Sequence, residues 1–81
     1  MFGQTEIDNL EKLLRQTDDP SERLKIYSKL IYEYGFIDPI KARIIADEAI
    51  SLSENEKNSR IRADLFNSIG IAYHMNGNFI V

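Results

Sequence analysis

The chain has 81 residues, of which 43 % are hydrophobic and 28 % are charged, a balance that fits one folded unit and argues against a disordered chain. Its 13 acidic and 10 basic residues give a net charge of −3, without the clustered basic face that nucleic-acid binding needs. The lack of cysteine excludes disulfides and thiolate metal sites, and no apolar run approaches the roughly 18 residues of a membrane span.

The first predicted helix spans residues 6–15. Thr5 stands just before it and can accept hydrogen bonds from the free amides of the first turn. Apolar residues then recur at helical spacing on one face: Ile7, Leu10, Leu13 and Leu14. Asp18 and Asp19 follow, and their place before Pro20 makes this acidic pair a helix-capping signal and not a catalytic pair of carboxylates.

The next two helices each begin at an aspartate–proline pair. Proline is favoured in the first turn because its missing amide would have no partner there, and aspartate is a good N-cap. Asp19 therefore predicts a second helix over residues 20–34, which Gly35 would end in a left-handed conformation. Asp38 predicts a third helix over residues 39–53.

A polar turn separates the third helix from a fourth, predicted over residues 59–75. The turn signal at 76–78, Asn-Gly-Asn, would end this last helix. No segment shows a convincing alternation of apolar and polar residues, so no strand is expected. The sequence therefore predicts an all-α fold.

The second and fourth helices carry the same pattern of large, aliphatic and tyrosine residues. At a spacing of 39 positions (27 to 66), the pattern appears as Tyr27, Leu30, Ile31 and Tyr34, and again as Phe66, Ile69, Gly70 and Tyr73. A two-helix unit that recurs every roughly 20–50 residues is typical of a helical solenoid, in which stacked hairpins cover faces that one hairpin leaves open.

The fourth helix and the turn after it resemble the first helix and turn of a tetratricopeptide repeat (TPR), through Phe66, Ile69, Gly70, Tyr73, Gly77 and Phe79. Ala42 and Ala49 resemble the two small residues of that family's second helix. The resemblance implies one domain over residues 1–81, an α-solenoid of antiparallel helical hairpins with about four helices. Its parts would be a capping helix at 5–16, a first repeat at 20–54, and the first helix and start of an incomplete second repeat at 59–81.

In the TPR family, the first helices of successive repeats line a concave groove that takes extended or helical peptides. The resemblance assigns to this groove Lys25, Ser28, Tyr32, Asp64, Asn67, Ile71 and His74. Tyr32 also falls outside the apolar stripe of its helix, which makes it the best candidate for an exposed aromatic contact. The incomplete second repeat would leave apolar side chains partly bare and open to self-association: Phe66, Ile69, Tyr73 and Phe79.

No pattern in the sequence supports catalysis. His74 is the only histidine and has no cysteine to join it, so the case for a metal site or a general base is weak. Glycine-rich phosphate loops and nucleophile motifs are absent from the sequence. We therefore expect no catalytic residue, no metal site and no cofactor.

The leading hypothesis is a non-catalytic protein–protein interaction module that binds a protein or peptide partner. Its opening segment resembles the N-terminal array of bacterial TPR-containing sensor and signalling proteins, so we expect an N-terminal fragment of such a larger protein. The alternative is a free-standing structural protein whose truncated repeat is completed by a second copy, giving a homodimer through the C-terminal end. The sequence leaves the compartment open between the cytoplasm and an extracytoplasmic space such as the periplasm.

Overall fold

A computed structural model describes the backbone of residues 2–75 and the side chains of residues 5–74. Over this part of the chain the fold is all-helical and contains no strand, as predicted. The helices are α1 (Phe2–Gln16), α2 (Pro20–Ile37), α3 (Pro39–Ser53) and α4 (Ser59–Met75). Two residues of the TPR resemblance, Gly77 and Phe79, lie outside the described residues.

Both aspartate–proline signals open a helix, as predicted. The Asp19 side chain accepts a hydrogen bond from the Glu22 amide at 3.0 Å, which satisfies a free donor in the first turn of α2. Asp38 does the same for the Lys41 amide at 3.1 Å at the start of α3. The starts of α2 and α3 are therefore determined locally, by the capping side chain and the proline that follows it.

Two predicted helix boundaries are wrong. Thr5 was expected to cap α1, but the helix begins at Phe2, so Thr5 lies inside it, where threonine costs only a few tenths of a kcal/mol. Gly35 was expected to end α2, but it is buried within the helix, which continues to Ile37. The helix ends where Pro39 disfavours the helical conformation at the residue before it, Asp38.

The second helix is the centre of the structure, since α1, α3 and α4 all pack against it. The first helix runs antiparallel to α2. Glu11, inside α1, bonds to Tyr34 near the end of α2, whereas Thr17, just after α1, bonds to Arg23 near the start of α2. The third helix folds back against α2 after the single connecting residue Asp38. The fourth helix makes the most extensive contact with α2, and it runs in the same direction, because the Ser21–Glu56 hydrogen bond holds the starts of the two helices together.

The buried side chains form two clusters, and α2 contributes to both. The main core lies between α2, α3 and α4 and consists of Leu24, Tyr27, Ile31, Ile45, Ala46, Ala49, Ile61, Leu65, Ile69 and Ala72. The smaller α1 core joins α1 to α2 and consists of Ile7, Leu10, Ile26 and Leu30. Burial of these apolar surfaces supplies most of the free energy that holds the helices together.

Candidate functional site

A groove of about 570 Å3 lies over the exposed side of α2, with α1 forming one wall and α4 the other. We call it the α2 groove. It is lined by Glu6, Leu10, Lys25, Ser28, Lys29, Tyr32, Glu33, Asn58, Arg60, Ile61, Asp64 and Ser68. The third helix does not contribute to this lining and packs elsewhere on α2.

The floor of the groove is provided by α2. Ser28 is buried, and its hydroxyl donates to the Leu24 carbonyl at 3.1 Å, so this polar group is satisfied within its own helix. Lys25 reaches Glu22 one turn earlier at 3.0 Å, and both side chains are more than half exposed, at 54 % and 56 %. Such an exposed pair contributes little to stability, so Lys25 can exchange this partner for another at small cost.

An aromatic pair marks the part of the groove nearer the end of α2. Tyr32 is 39 % exposed, in line with its interpretation as an exposed aromatic. Its ring meets Phe36 edge-on, with centroids 5.2 Å apart and the planes at 82°. Because Phe36 is itself 58 % exposed, the pair offers apolar surface with a phenol hydroxyl to an approaching chain.

The α1 wall is held by Arg23 of α2. One guanidinium nitrogen donates to the carbonyl oxygens of Leu14 at 2.9 Å and Thr17 at 2.8 Å, near the end of α1. The other donates to the Tyr27 hydroxyl at 3.3 Å, and the guanidinium carbon lies 5.7 Å from the Tyr27 ring centroid. Arg23 therefore binds two carbonyl oxygens at the end of α1 from another helix and helps to hold that end in place.

A second link between α1 and α2 is the hydrogen bond that the Tyr34 hydroxyl donates to the Glu11 carboxylate. Desolvation by burial, followed by the hydrogen bond and the negative charge of Glu11, raises the pKa of Tyr34 to about 12. The phenol therefore keeps its proton, and this hydrogen bond, up to strongly alkaline pH.

The α4 wall begins at a network of capping bonds. The Asn58 side-chain oxygen accepts from the amides of Arg60 at 2.9 Å and Ile61 at 3.2 Å. Glu56 accepts from the Ser21 hydroxyl at 2.7 Å and from the Asn58 amide at 3.0 Å. These bonds, the Ser21 bond foremost, hold the pKa of Glu56 below its usual value and tie the start of α2 to the start of α4.

The charges of the α2 groove are balanced. Its basic residues are Lys25, Lys29 and Arg60, and its acidic residues are Glu6, Glu33 and Asp64. A lining of this kind suits the mixed charges and backbone amides of a peptide better than a strongly anionic or cationic ligand. Among the described residues, no cluster of three or more His, Cys, Asp or Glu side chains could hold a metal ion.

The groove brings together four of the side chains that the TPR resemblance assigned to a partner site, namely Lys25, Ser28, Tyr32 and Asp64. The other three, Asn67, Ile71 and His74, lie on α4 outside this lining. Asn67 and His74 are exposed, whereas Ile71 is half-buried.

The sequence did not indicate the contribution of α1, which supplies Glu6 and Leu10, because the pattern of that helix predicts only a cap. It also did not indicate Lys29 and Glu33 on α2 and Arg60 on α4. Lys29 and Glu33 follow Lys25 at intervals of four, a spacing that would have placed them on the same helix face.

The residues proposed for self-association differ in exposure. Phe66 is 45 % exposed, whereas Ile69 is only 7 % exposed and belongs to the main core, so the expectation of a partly bare Ile69 is not met. Tyr73 is half-buried and packs against the main core, and Phe79 lies outside the described residues. Gly70 lies one turn after Phe66 on α4. Apart from the backbone of α4 itself, no atom of the described residues lies within 4 Å of the position that a Cβ on Gly70 would take.

In comparisons with known proteins, the chain matches no protein-family model, no curated protein and no solved structure. Over the described residues, none of the helices combines the length and apolar character that crossing a membrane requires.

Proposed function

We propose that this chain is a non-catalytic, TPR-type interaction module that binds a peptide segment of a partner protein in the α2 groove. The observation that carries the proposal is the meeting of Lys25, Ser28, Tyr32 and Asp64 in one groove of about 570 Å3. These side chains come from two helices and were selected by repeat position alone. The balanced charges and the exposed aromatic ring of the groove are features suited to peptide recognition.

The order of the helices also supports a TPR-type interpretation. In that family, the first helices of successive repeats line the groove together. Here α2 and α4 lie side by side in the same direction, and α3 packs against both of them away from the groove. The open surface around Gly70 on α4 is where the second helix of a following repeat would approach closely. We place the module in a larger bacterial sensor or signalling protein on the resemblance of its opening segment.

The proposal is tested by selecting binders from a random peptide library displayed on phage and measuring the affinity of the enriched peptides by calorimetry. We expect Tyr32→Ala and Asp64→Lys each to weaken binding about tenfold, because each removes or reverses a groove contact. Lys12→Ala is the matched control, since Lys12 is exposed on α1 outside the groove lining. The proposal fails if no peptide is enriched, or if all three variants bind the selected peptides as the wild type does.

A second candidate function is a homo-oligomeric structural protein, and the exposure of Phe66 favours it. A large apolar side chain that is 45 % exposed beside an open glycine is a surface on which a second copy could pack. Phe66→Ser would then convert a dimer into a monomer in sedimentation experiments. An unchanged sedimentation coefficient in that variant would remove this candidate.

A further inference from the structure

The most exposed aliphatic side chains of the described residues lie on α3, on the face turned away from the main core. Ile40 is 76 % exposed and Ile44 is 51 % exposed. Asp47 and Ser51 follow on the same face at helical spacing and are also exposed, so these four residues form one stripe along α3. The opposite face of α3 is buried through Ala42, Ile45, Ala46 and Ala49, of which the last three belong to the main core. The stripe is therefore a second face of α3, which the other helices leave uncovered.

The charged residues on and beside this stripe are separated by sign along the helix. The basic residues Lys41 and Arg43 lie in the first half of α3, and the acidic residues Asp47 and Glu48 lie in the second half. Among the side chains of residues 5–74, none of these four forms an ion pair closer than 4 Å. A helix with basic residues in its first half and acidic residues in its second half is complementary to a copy of itself that runs in the opposite direction.

We infer that this face of α3 binds the same face of a second copy, as an antiparallel helix pair related by a two-fold axis near Ile44. In such a pair, Lys41 of one copy lies opposite Glu48 of the other, and Arg43 lies opposite Asp47 on the other flank. Each contact occurs twice because the interface is isologous. Ile44 packs against Ile44 of the second copy at the axis, while Ile40 packs against the region of Ser51.

The pairing is independent of the peptide-binding proposal, because it uses a helix that does not line the α2 groove. It is also distinct from self-association through Phe66, which lies on α4. Two copies joined through α3 keep both α2 grooves open, so a dimer can hold two peptide segments and gain from their linkage. With two isoleucines per copy in its centre, the interface is small and belongs to the class of weak association.

Sedimentation equilibrium of the full chain, at concentrations up to about 1 mM, tests the inference in the range where small interfaces become populated. We expect a monomer–dimer equilibrium. Lys41→Glu and Glu48→Lys should each weaken it about tenfold, because each turns two symmetric attractions into repulsions. The double variant, with both changes in one chain, should restore it, since the charges are then exchanged and again complementary.

Phe66→Ser is the control and should leave this equilibrium unchanged. The inference is overturned if the wild type stays monomeric up to about 1 mM, or if the double variant is as weak as the single variants. It is also overturned if Phe66→Ser abolishes the dimer while the charge reversals do not. Circular dichroism of each variant checks its helix content, and Ile44→Ser, which should weaken the dimer without altering charge, decides the question if a charge reversal fails to fold.

Discussion

Tyr34 is the clearest case in which one side chain couples the ionisation of the chain to its tertiary structure. Its hydroxyl donates to Glu11 across the contact between α1 and α2, and its pKa is raised to about 12. An unfolded tyrosine ionises near a pKa of about 10. Between these values the unfolded state loses a proton that the folded state keeps, so the stabilisation is complete below pH 10 and disappears as the pH rises through 12.

We therefore predict that the free energy of unfolding falls between pH 10 and 12 and that Tyr34→Phe makes this fall shallower. Urea denaturation followed by circular dichroism at several pH values measures the effect. The ultraviolet absorbance of ionised tyrosine should rise in a step near the raised pKa of Tyr34, about 12, and this step should be missing from the variant. Tyr32→Phe is the control, because Tyr32 is exposed and its ring contacts Phe36 of its own helix. A pH profile of Tyr34→Phe identical to that of the wild type would contradict the prediction.

Gly70 provides a second prediction at the scale of one residue. It lies inside α4, and no neighbouring atom among the described residues would meet a Cβ placed there. Because glycine in a helix interior costs about 1 kcal/mol relative to alanine, Gly70→Ala should raise the free energy of unfolding by about that amount. Ala63→Gly, at an exposed position of the same helix, should lower it by a similar amount. If Gly70→Ala instead destabilises the isolated chain, then another surface packs closely against α4 in solution.

At the scale of elements, the helix contacts that α1 makes within the described residues are with α2. Its attachment consists of the small α1 core, the Tyr34 bond to Glu11 and the Arg23 bonds to the carbonyls of Leu14 and Thr17. The first helix should therefore open separately from the others, since few contacts hold it. Because α1 forms one wall of the α2 groove, its docking also determines the shape of the groove.

Removing the Arg23 bonds should weaken the docking of α1 on α2 without destabilising the other helices. We expect Arg23→Gln to lower the hydrogen-exchange protection of α1 roughly tenfold, because hydrogen bonds from a charged donor are worth about 1.5–3 kcal/mol and this donor is only partly buried. Protection in α3 and α4 should change little. Arg62→Gln, exposed on α4, serves as the control and should leave the exchange of α1 as in the wild type. Equal loss of protection in all four helices would argue against a separately docked α1.

The sequence predicted the elements well where a local signal controls them. The starts of α2 and α3 follow from the caps Asp19 and Asp38, whose effect reaches only three residues along the chain. The end of α2 was missed because packing of a buried Gly35 outweighs the conformational cost of glycine in a helix, about 1 kcal/mol. That balance depends on tertiary contacts, which the amino-acid pattern of one helix does not contain.

Part of the groove lining was predictable because it also follows from a local pattern. The residues on α2 and α4 that meet there share a helix face, which the repeat pattern specifies. Glu6 and Leu10 of α1 reach the groove because α1 packs against α2 through the α1 core, the Tyr34 bond and the Arg23 bonds. These contacts join residues that are far apart in the sequence. The exposure of Ile40 and Ile44 on α3 is equally a result of tertiary packing, because the other helices of the described residues leave these side chains more than half exposed.

For the whole molecule, the main core and the α1 core differ in how many helices each one stabilises, although α2 contributes to both. The main core involves three helices, whereas the α1 core involves two. A chain of this length has only a few kcal/mol of net stability to lose, on the order of 5–10. A cavity in the main core should therefore affect every helix, while one in the α1 core should affect mainly α1.

This difference is testable with two matched truncations of leucine. Leu65→Ala, at a fully buried position of the main core, should cost about 2–5 kcal/mol and shift the urea midpoint of the whole helical signal. Leu10→Ala, in the α1 core, should produce an early partial loss of helicity, with the remaining transition close to that of the wild type. A single cooperative transition that shifts equally in both variants would show that α1 and the main core unfold together.

The connection between α2 and α3 consists of Asp38 alone, and this residue does two tasks at once. Its amide donates to the Tyr34 carbonyl at 2.7 Å in the last turn of α2, while its carboxylate caps the first turn of α3. An extra amino acid inserted here would separate these tasks and rotate one helix against the other. At the links of residues 17–19 and 54–58, different residues bond to the two helices. Thr17 bonds to the end of α1 and Asp19 caps α2, while Glu54 bonds to the end of α3 and Asn58 caps α4. An amino acid inserted between the members of either pair would leave each bond with its own helix, so these links tolerate a change of length better than Asp38 does.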